Sequence, residues 1–390
     1  MDATIQDDYG QRFAARPGTE HAFAFWKGRV AWYAILRALG VGADDEVILP
    51  GYTCVMDVNP IMYVGAKPVY VDIEPVTYNL DPGLLEDLIT PRTRVIVAQH
   101  TYGYPAALDP ILTIAGKHGV PVVEDCCLAL GARYRGRSVG TFGVASYFSF
   151  QWNKPYTSGI GGMAVTGDAA LAREIRAVRD AEMIRPGAGE VAMLASQLAV
   201  YRTAIYPRTT AVATRAFRWL THKGLVVGSS DPSEYRPEMA ADFFKGMSRL
   251  QAWSGRRQLG RLERNLTHRR WIGARYDELL TAAGWPRLAL PGELDPVPVR
   301  YPVRVADKVR ALATAGQHFV ELGSWFECPL HPIETPLETY GYAPGMCPVA
   351  ERACREVVNL PTHLRADSAT AERTVAFVST IGPPNPSATP

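Results

Sequence analysis

The chain has 390 residues, 47% of them hydrophobic, which is more than one typical domain and enough for two cores. Its 41 basic and 39 acidic side chains give a formal charge of +2, so no field draws it to nucleic acid or an anionic membrane. Six cysteines without CxxC pairs exclude a disulfide scaffold and read as reduced and mostly buried. The start, MDATIQDDYGQRF, lacks the features of a signal or transit peptide, and no run approaches the ~20 apolar residues of a membrane span. A cytoplasmic protein acting on small molecules is the expectation.

In chain order, short β-rich runs alternate with helical patterns. The strands are Glu46–Pro50, Pro68–Asp72, Arg94–Gln99, Pro121–Asp125, Ala145–Phe150 and Gly162–Thr166, and helices are predicted over Val30–Leu39, Pro82–Leu88 and Asp109–His118. Near-continuous Val/Ile runs joined by helices indicate a mostly parallel sheet covered on both faces, an α/β architecture. From about Val178 to Arg236 the rhythm breaks. This stretch reads as an insertion with an amphipathic helix through Leu194, Leu198, Tyr201, Ile205 and Tyr206, whose expected role is packing, with a lid as the alternative. Met247–Leu280 reads as one long helix interrupted near Ser254-Gly255, Val297–Val305 as a strand, and the Pro-rich tail from Gly382 as disordered.

Only seven of the basic residues are lysines, so each can be weighed. Lys154 follows the strand ASYFSF and precedes the turn Thr157–Gly162, which places it at the sheet's carboxyl edge, where open α/β folds bind ligands. A surface lysine after a strand is the plain alternative. Pro121–Asp125 ends on a carboxylate at that same edge, so Asp125 and Lys154 face one crevice. An amine and a carboxylate are what pyridoxal 5'-phosphate requires, one to carry its aldehyde carbon and one to keep its ring nitrogen protonated. For the phosphate, Gly28, Arg29 and Val30 open a helix and Ser149 offers a hydroxyl. Taken singly, these are a helix-start glycine and a buried strand serine.

The glycines of Gly159–Gly162 lead into a strand where a dinucleotide fingerprint needs a helix, and the eight histidines form no HxH or HExxH pair, so no metal site is expected. His100 reads as a core or site-wall histidine.

The chain resembles the DegT/DnrJ/StrS family of PLP-dependent sugar aminotransferases from about residue 20 to 380. The resemblance rests on Ala38–Pro50 (ALGVGADDEVILP), Gly65–Asp72, Tyr78–Asp81, His100–Gly103, Glu124-Asp125 with Ala129–Ala132, Gly140–Gly143, Ser149-Phe150 leading to Lys154, Gly161-Gly162, Met247-Ser248, Gln251-Ala252, Gly255, Gln258-Leu259 and Asn359–His363. It implies PLP fold type I: a large domain over 1–250 with a mostly parallel seven-stranded sheet and the insertion about 178–236, a smaller α+β domain over 251–381, and a disordered tail over 382–390. It implies Lys154 as Schiff-base lysine and general base, Asp125 as partner of the ring nitrogen, Ser149 with Gly28–Val30 as phosphate site, and a homodimer with shared active sites. The implied reaction moves an amino group from glutamate or glutamine to a keto sugar, nucleotide-linked, or to a keto cyclitol.

There are departures. Leu128 stands where the family has Gln, His or Glu, Cys54 where it stacks an aromatic, and Arg29 where it has a small hydroxyl residue. Phe244-Lys245-Gly246 replaces Asn-Tyr-Arg, so a cross-dimer phosphate contact is lost or supplied by Lys245. A PLP-dependent dehydratase or lyase, and a PLP-binding regulatory protein without turnover, are the alternatives. Lysine at 154, where the dehydratase branch carries histidine, favours transamination.

Overall fold

A computed structural model describes residues 4–152, 154–205, 235–286, 288–332 and 336–384. Its first elements are α1 (Ile5–Ala14), β1 (His21–Phe25), α2 (Gly28–Ala38), β2 (Glu46–Pro50), α3 (Val55–Tyr63), β3 (Lys67–Val71), β4 (Thr93–Gln99), α4 (Leu108–Lys117), β5 (Val122–Asp125), β6 (Ala145–Ser149) and β7 (Gly162–Thr166). The seven strands form one sheet in the order β1-β7-β6-β5-β4-β2-β3. Only β7 runs against the others.

Side chains along each strand alternate between two cores. Val47, Leu49, Val95, Val97, Val123, Ala145 and Tyr147 pack under α2 and α3. Ile48, Ile96, Ala98, Val122 and Phe148 pack on the other side with Tyr9 and Phe13 of α1 and with Ile111 of α4. The same period of two settles where polar strand ends point. Asp125 and Ser149 share the face of Val123, Ala145 and Tyr147, while Glu124 faces the opposite core.

Next come α5 (Ala169–Glu182) and α6 (Ala188–Val200). The insertion expected from Val178 therefore starts later, because Asp168 caps a helix that carries through Glu182. The amphipathic helix is present as α6: Leu194 and Leu198 pack on Trp26, Trp152 and Ile160, and the Tyr201 hydroxyl donates to the Trp152 carbonyl at 3.0 Å. The side chain of Ile205, and all of Tyr206, lie outside the described residues.

The chain continues through α7 (Arg249–Leu259), α8 (Leu262–Ala282), β8 (Tyr301–Arg304), α9 (Lys308–Thr314), α10 (Pro348–Glu356), β9 (Val357–Leu360) and α11 (Ser368–Ile381). β8 and β9 pair antiparallel, and Ile272, Tyr276, Tyr301, Val303, Val358, Leu360, Val375 and Val378 make a separate core for this C-terminal lobe.

Four sequence-based expectations change. The helix at Pro82–Leu88 is two three-residue 3-10 turns. The long helix breaks at Gly260-Arg261 and not at Ser254-Gly255, where the bare Gly255 Cα admits the hydroxyls of Tyr9 and Tyr156. The strand at Val297–Val305 shortens to β8 because the Val297 and Val299 N–H groups donate instead to the carbonyls of Gly103 and Tyr102 (3.0 and 2.8 Å). β1, at one edge of the sheet, is not among the predicted strands. Of the tail, residues 385–390 lie outside the described residues.

The Gly103 contact clamps the C-terminal lobe onto the end of β4. Its φ is +98°, and a Cβ there would lie 2.0 Å from the Val297 carbonyl oxygen. Gly103→Ala is expected to cost at least ~2 kcal/mol, since it combines a left-handed backbone with a steric clash. A urea midpoint equal to that of the parent would contradict this.

Candidate active site

The carboxyl edge of the sheet carries the chemistry. β5 lies between β4 and β6, with Gln99 and Tyr147 beside Asp125 in register. Glu124 and Asp125, turned to opposite faces, have different work. Glu124 accepts the N–H groups of Gly140, Phe142 and Gly143 at 2.7, 2.6 and 2.8 Å, which pins that turn. His100 Nδ1 accepts the Ala106 N–H (3.0 Å), leaving Nε2 to donate to Glu124 at 3.1 Å. His100, Glu124 and Cys126 have ligating atoms within 4.8 Å of one another, yet their hydrogen bonds are those of a structural knot.

Asp125 is buried and accepts the Cys127 N–H at 2.8 Å. Burial pushes its carboxyl pKa up, opposed by that bond and by the Lys154 ammonium. Lys154 follows β6 through a turn in which its N–H donates to the Gln151 carbonyl at 3.1 Å. Its Nζ lies 5.6 Å from the centre of the Trp325 ring. Its charge also reaches Asp57, Cys54 and Cys127. The structure thus brings the lysine and the carboxylate together, within one electrostatic cluster. Cys54, Asp57, Cys127, Ser149, Lys154 and Trp325 are all partly exposed, which marks an open crevice over buried Asp125.

Asp57 was not singled out in the sequence, where it looks like an ordinary acid in the first turn of a helix. In the fold it accepts from the Tyr147 hydroxyl at 3.1 Å and the Thr53 hydroxyl at 3.3 Å. Burial, then repulsion from Asp125, push its pKa up to about 8. Tyr147 is in turn stacked on Trp32 at 5.1 Å. Burial pushes the Cys54 thiol up to about 12, and Cys126 and Cys127 well above the usual range. All six cysteines are free. Cys54 and Cys127 are neutral wall groups of the crevice, Cys126 belongs to the opposite core, and the nucleophile available in the crevice is the lysine amine.

At the other end, α2 begins against β6. A Cβ on Gly28 would lie 3.0 Å from Ser149 Cβ and 3.2 Å from the Phe148 carbonyl oxygen. The N–H groups of Gly28 and Arg29 head the helix and point out of its first turn, beside the Ser149 side chain, while that of Val30 turns back to the Lys27 carbonyl at 3.2 Å. The Arg29 side chain is buried against α3, with Nη1 at 2.6 Å from Met56 Sδ. Lys245 bridges Glu190 (2.7 Å) and Asp242, and its carbonyl accepts the Trp26 N–H at 3.0 Å. It stands near the start of α2 with its charge matched by two carboxylates of its own chain. Leu128 is a buried wall residue whose carbonyl backs Gly103.

The donor set fits pyridoxal phosphate. A helix start with a hydroxyl suits a phosphate, a buried carboxylate suits a protonated ring nitrogen, and a lysine suits the aldehyde carbon, all at one sheet edge. Among the described residues no helix is long and apolar enough to cross a membrane.

Comparison with known proteins agrees. The profile of the DegT/DnrJ/EryC1/StrS aminotransferase family matches residues 4–196 and 209–379. GDP-perosamine synthase of Caulobacter vibrioides is 31% identical over 382 residues, covering 96% of this chain and 89% of that protein. L-glutamine:2-deoxy-scyllo-inosose aminotransferase of Micromonospora echinospora is 45% identical over 178 residues, which is 45% of this chain and 42% of that protein. The crystal structure of S. venezuelae DesV superposes with a TM-score of 0.74 at 28% identity, covering 97% of this chain and 90% of that one.

The Asp57 carboxyl yields a test in the cofactor-free protein. A carboxyl held above its unfolded value of ~3.9 binds its proton more tightly when folded, so its contribution is full below about pH 4 and is lost as pH rises towards 8. Asp57→Asn removes that loss. Thermal midpoints of variant and parent are expected to run parallel at pH 4 and to separate in the variant's favour between pH 5 and 8. Curves that stay parallel up to pH 8 would count against a proton held at Asp57.

Proposed function

The chain belongs to the DegT/DnrJ/EryC1/StrS aminotransferase family and is a pyridoxal-phosphate-dependent aminotransferase, and we propose that it moves the amino group of glutamate or glutamine to a keto cyclitol or a nucleotide-linked keto sugar. The observation that carries the reading is the convergence of Lys154 and Asp125 on one crevice, with Gly28 and Ser149 in contact at its end. The two acceptor types follow the relatives: one makes a nucleotide-linked amino sugar, and the other, 45% identical over 178 residues, takes an inosose with glutamine as donor.

Pyridoxal phosphate supplies an electron sink that lets a proton leave the donor's α-carbon. Lys154 would carry the cofactor's aldehyde carbon and, when freed, would take that proton and give it back, acting as general base and then general acid. Asp125, buried at the end of β5, would keep the ring nitrogen protonated. Ser149 and the N–H groups at the start of α2 would hold the phosphate, while Cys54 and Leu128 would supply neutral walls. A homodimer with shared active sites in the cytoplasm completes the reading.

The test is a half-reaction. Purified, cofactor-loaded protein is mixed with glutamine or glutamate, and the visible band of the lysine-bound cofactor is followed. It is expected to give way to the pyridoxamine form and to return on adding a keto acceptor. Inertness towards every amino acid would favour a regulatory cofactor-binder. Lys154→Ala is expected to lack the band and to lose turnover by at least ~10³-fold. Asp125→Asn should retain cofactor yet lose ~10²-fold or more, and near-parental rates in either variant would remove that residue from the mechanism.

A further inference from the structure

Asp57 is tied to both strands that flank Asp125. Gln99 closes β4 and Tyr147 lies in β6, each the in-register neighbour of Asp125, and by the period of two all three share the face under α3. The Tyr147 hydroxyl donates to Asp57 Oδ1 at 3.1 Å. Thr53 stands between the other two, its Oγ1 at 2.5 Å from Gln99 Oε1 and 3.3 Å from Asp57 Oδ2. The Trp32 indole N–H donates to the Asp57 carbonyl at 3.0 Å, which fixes the first turn of α3 behind the acid.

The hydrogens in this arc can be counted. Gln99 Nε2 donates to the Tyr52 carbonyl at 3.0 Å and to Thr101 Oγ1 at 2.8 Å. A backbone carbonyl only accepts, so the amide cannot be turned the other way round, and its oxygen faces Thr53. Thr53 therefore has one hydroxyl hydrogen for two acceptors, Gln99 Oε1 and Asp57 Oδ2. With Asp57 ionised, one of them goes without. With a proton on Asp57 Oδ2 the longer contact reverses: Asp57 donates to Thr53, Thr53 donates to Gln99, and every acceptor in the arc is filled.

The same proton decides what Lys154 feels. Its charge reaches the carboxyls of both Asp125 and Asp57. Ionised together, they would hold the amine as an ammonium, which neither attacks a carbonyl carbon nor accepts a proton. With Asp57 neutral the lysine answers to Asp125 alone, and a protonated ring nitrogen would engage Asp125. The remaining groups around Asp57 do not replace that control. Tyr147, Cys54 and Cys127 are neutral, held so by burial, and His331, in register with Cys54, is pushed down to about 4 by burial. Arg29, whose charge reaches Cys54, is turned towards Met56.

We propose that Asp57 is a positioning residue that, at neutral pH, donates its proton through Thr53 to Gln99 and so leaves Lys154 free of a second carboxylate when the cofactor engages Asp125. The inference deepens the pyridoxal-phosphate reading of Lys154 and rests on it, whatever the donor and acceptor are. Ionisation of Asp57 then becomes an alkaline gate on the lysine.

Two readouts follow the proton without turnover, in the parent, Asp57→Asn, Thr53→Val and Thr53→Ser. In the cofactor-free protein, infrared difference spectra between pH 5 and 9.5 record the C=O stretch of protonated carboxyls. A band that fades in the parent as pH passes about 8 is expected to be absent from Asp57→Asn. Thr53→Val decides the direction of the arc: a Thr53 that receives the hydrogen of Asp57 favours the protonated acid, so its loss should move the step down by about half to one pH unit. Thr53→Ser, which keeps the hydroxyl, should put it back. In the loaded enzyme, the protonated form of the lysine-bound cofactor, read from its visible band, should persist to higher pH in the parent than in Asp57→Asn, by about one pH unit, because only the parent gains a second negative charge. A step retained in Asp57→Asn, a step that moves up in Thr53→Val, or coincident band titrations in parent and Asp57→Asn each overturn the proposal. A loaded parent with no lysine-bound band would instead overturn the placement of the cofactor on Lys154.

Discussion

A carboxylate sunk at the end of a parallel strand cannot stay ionised without a cation, and the rest of this site is arranged around that demand on Asp125. One backbone bond, from Cys127, gives partial relief. The ammonium of Lys154 adds a smaller share. Asp57, whose carboxyl is pushed up to about 8, keeps its proton at neutral pH and adds no second negative charge beside Asp125. A protonated heteroaromatic ring would place a further positive charge beside Asp125, which suits the cofactor that the family uses.

The sheet makes this possible through its period of two. Because Val123 and Asp125 share a face, and Ala145, Tyr147 and Ser149 share it too, the polar strand ends meet the starts of α2 and α3, while Glu124, one residue from Asp125, is directed into the opposite core. Adjacent acids thus serve unrelated ends. Glu124 is saturated by three backbone donors and His100, which freezes a turn. Asp125 has one backbone donor and stands by an opening.

This logic explains what could be read from the chain. Asp125, Lys154, Gly28 and Ser149 were legible because each lies within a few residues of a strand or helix end, and strand ends in a parallel sheet share an edge by construction. Asp57 was not legible, since an acid in a first helical turn is ordinary and only the long-range approach of Tyr147 and Asp125 makes it unusual. Trp325 comes from a segment more than a hundred residues from Lys154, with no local pattern to mark it. The Arg29 guanidinium was legible as a charge near a helix start but not in its direction, which depends on where α3 packs. The expected strand over Val297–Val305 failed for the same reason: its first half pairs with Tyr102 and Gly103, a tertiary choice that β-propensity does not encode.

That failed strand is also where the two lobes become one site. Had Val297 and Val299 continued the β8 ladder, they would have been two more strand residues facing β9. Given instead to Gly103 and Tyr102, the segment is drawn onto the end of β4, and Tyr102 then serves both Val299 and the Trp325 carbonyl. The side chain that covers Lys154 is therefore held by the same backbone that follows Gln99, the in-register neighbour of Asp125. A shift of the C-terminal lobe would carry Trp325 with it and leave Lys154 and Asp125 in place. The sheet edge thus carries Lys154 and Asp125, and the lobe clamped to the end of β4 carries the Trp325 ring beside Lys154.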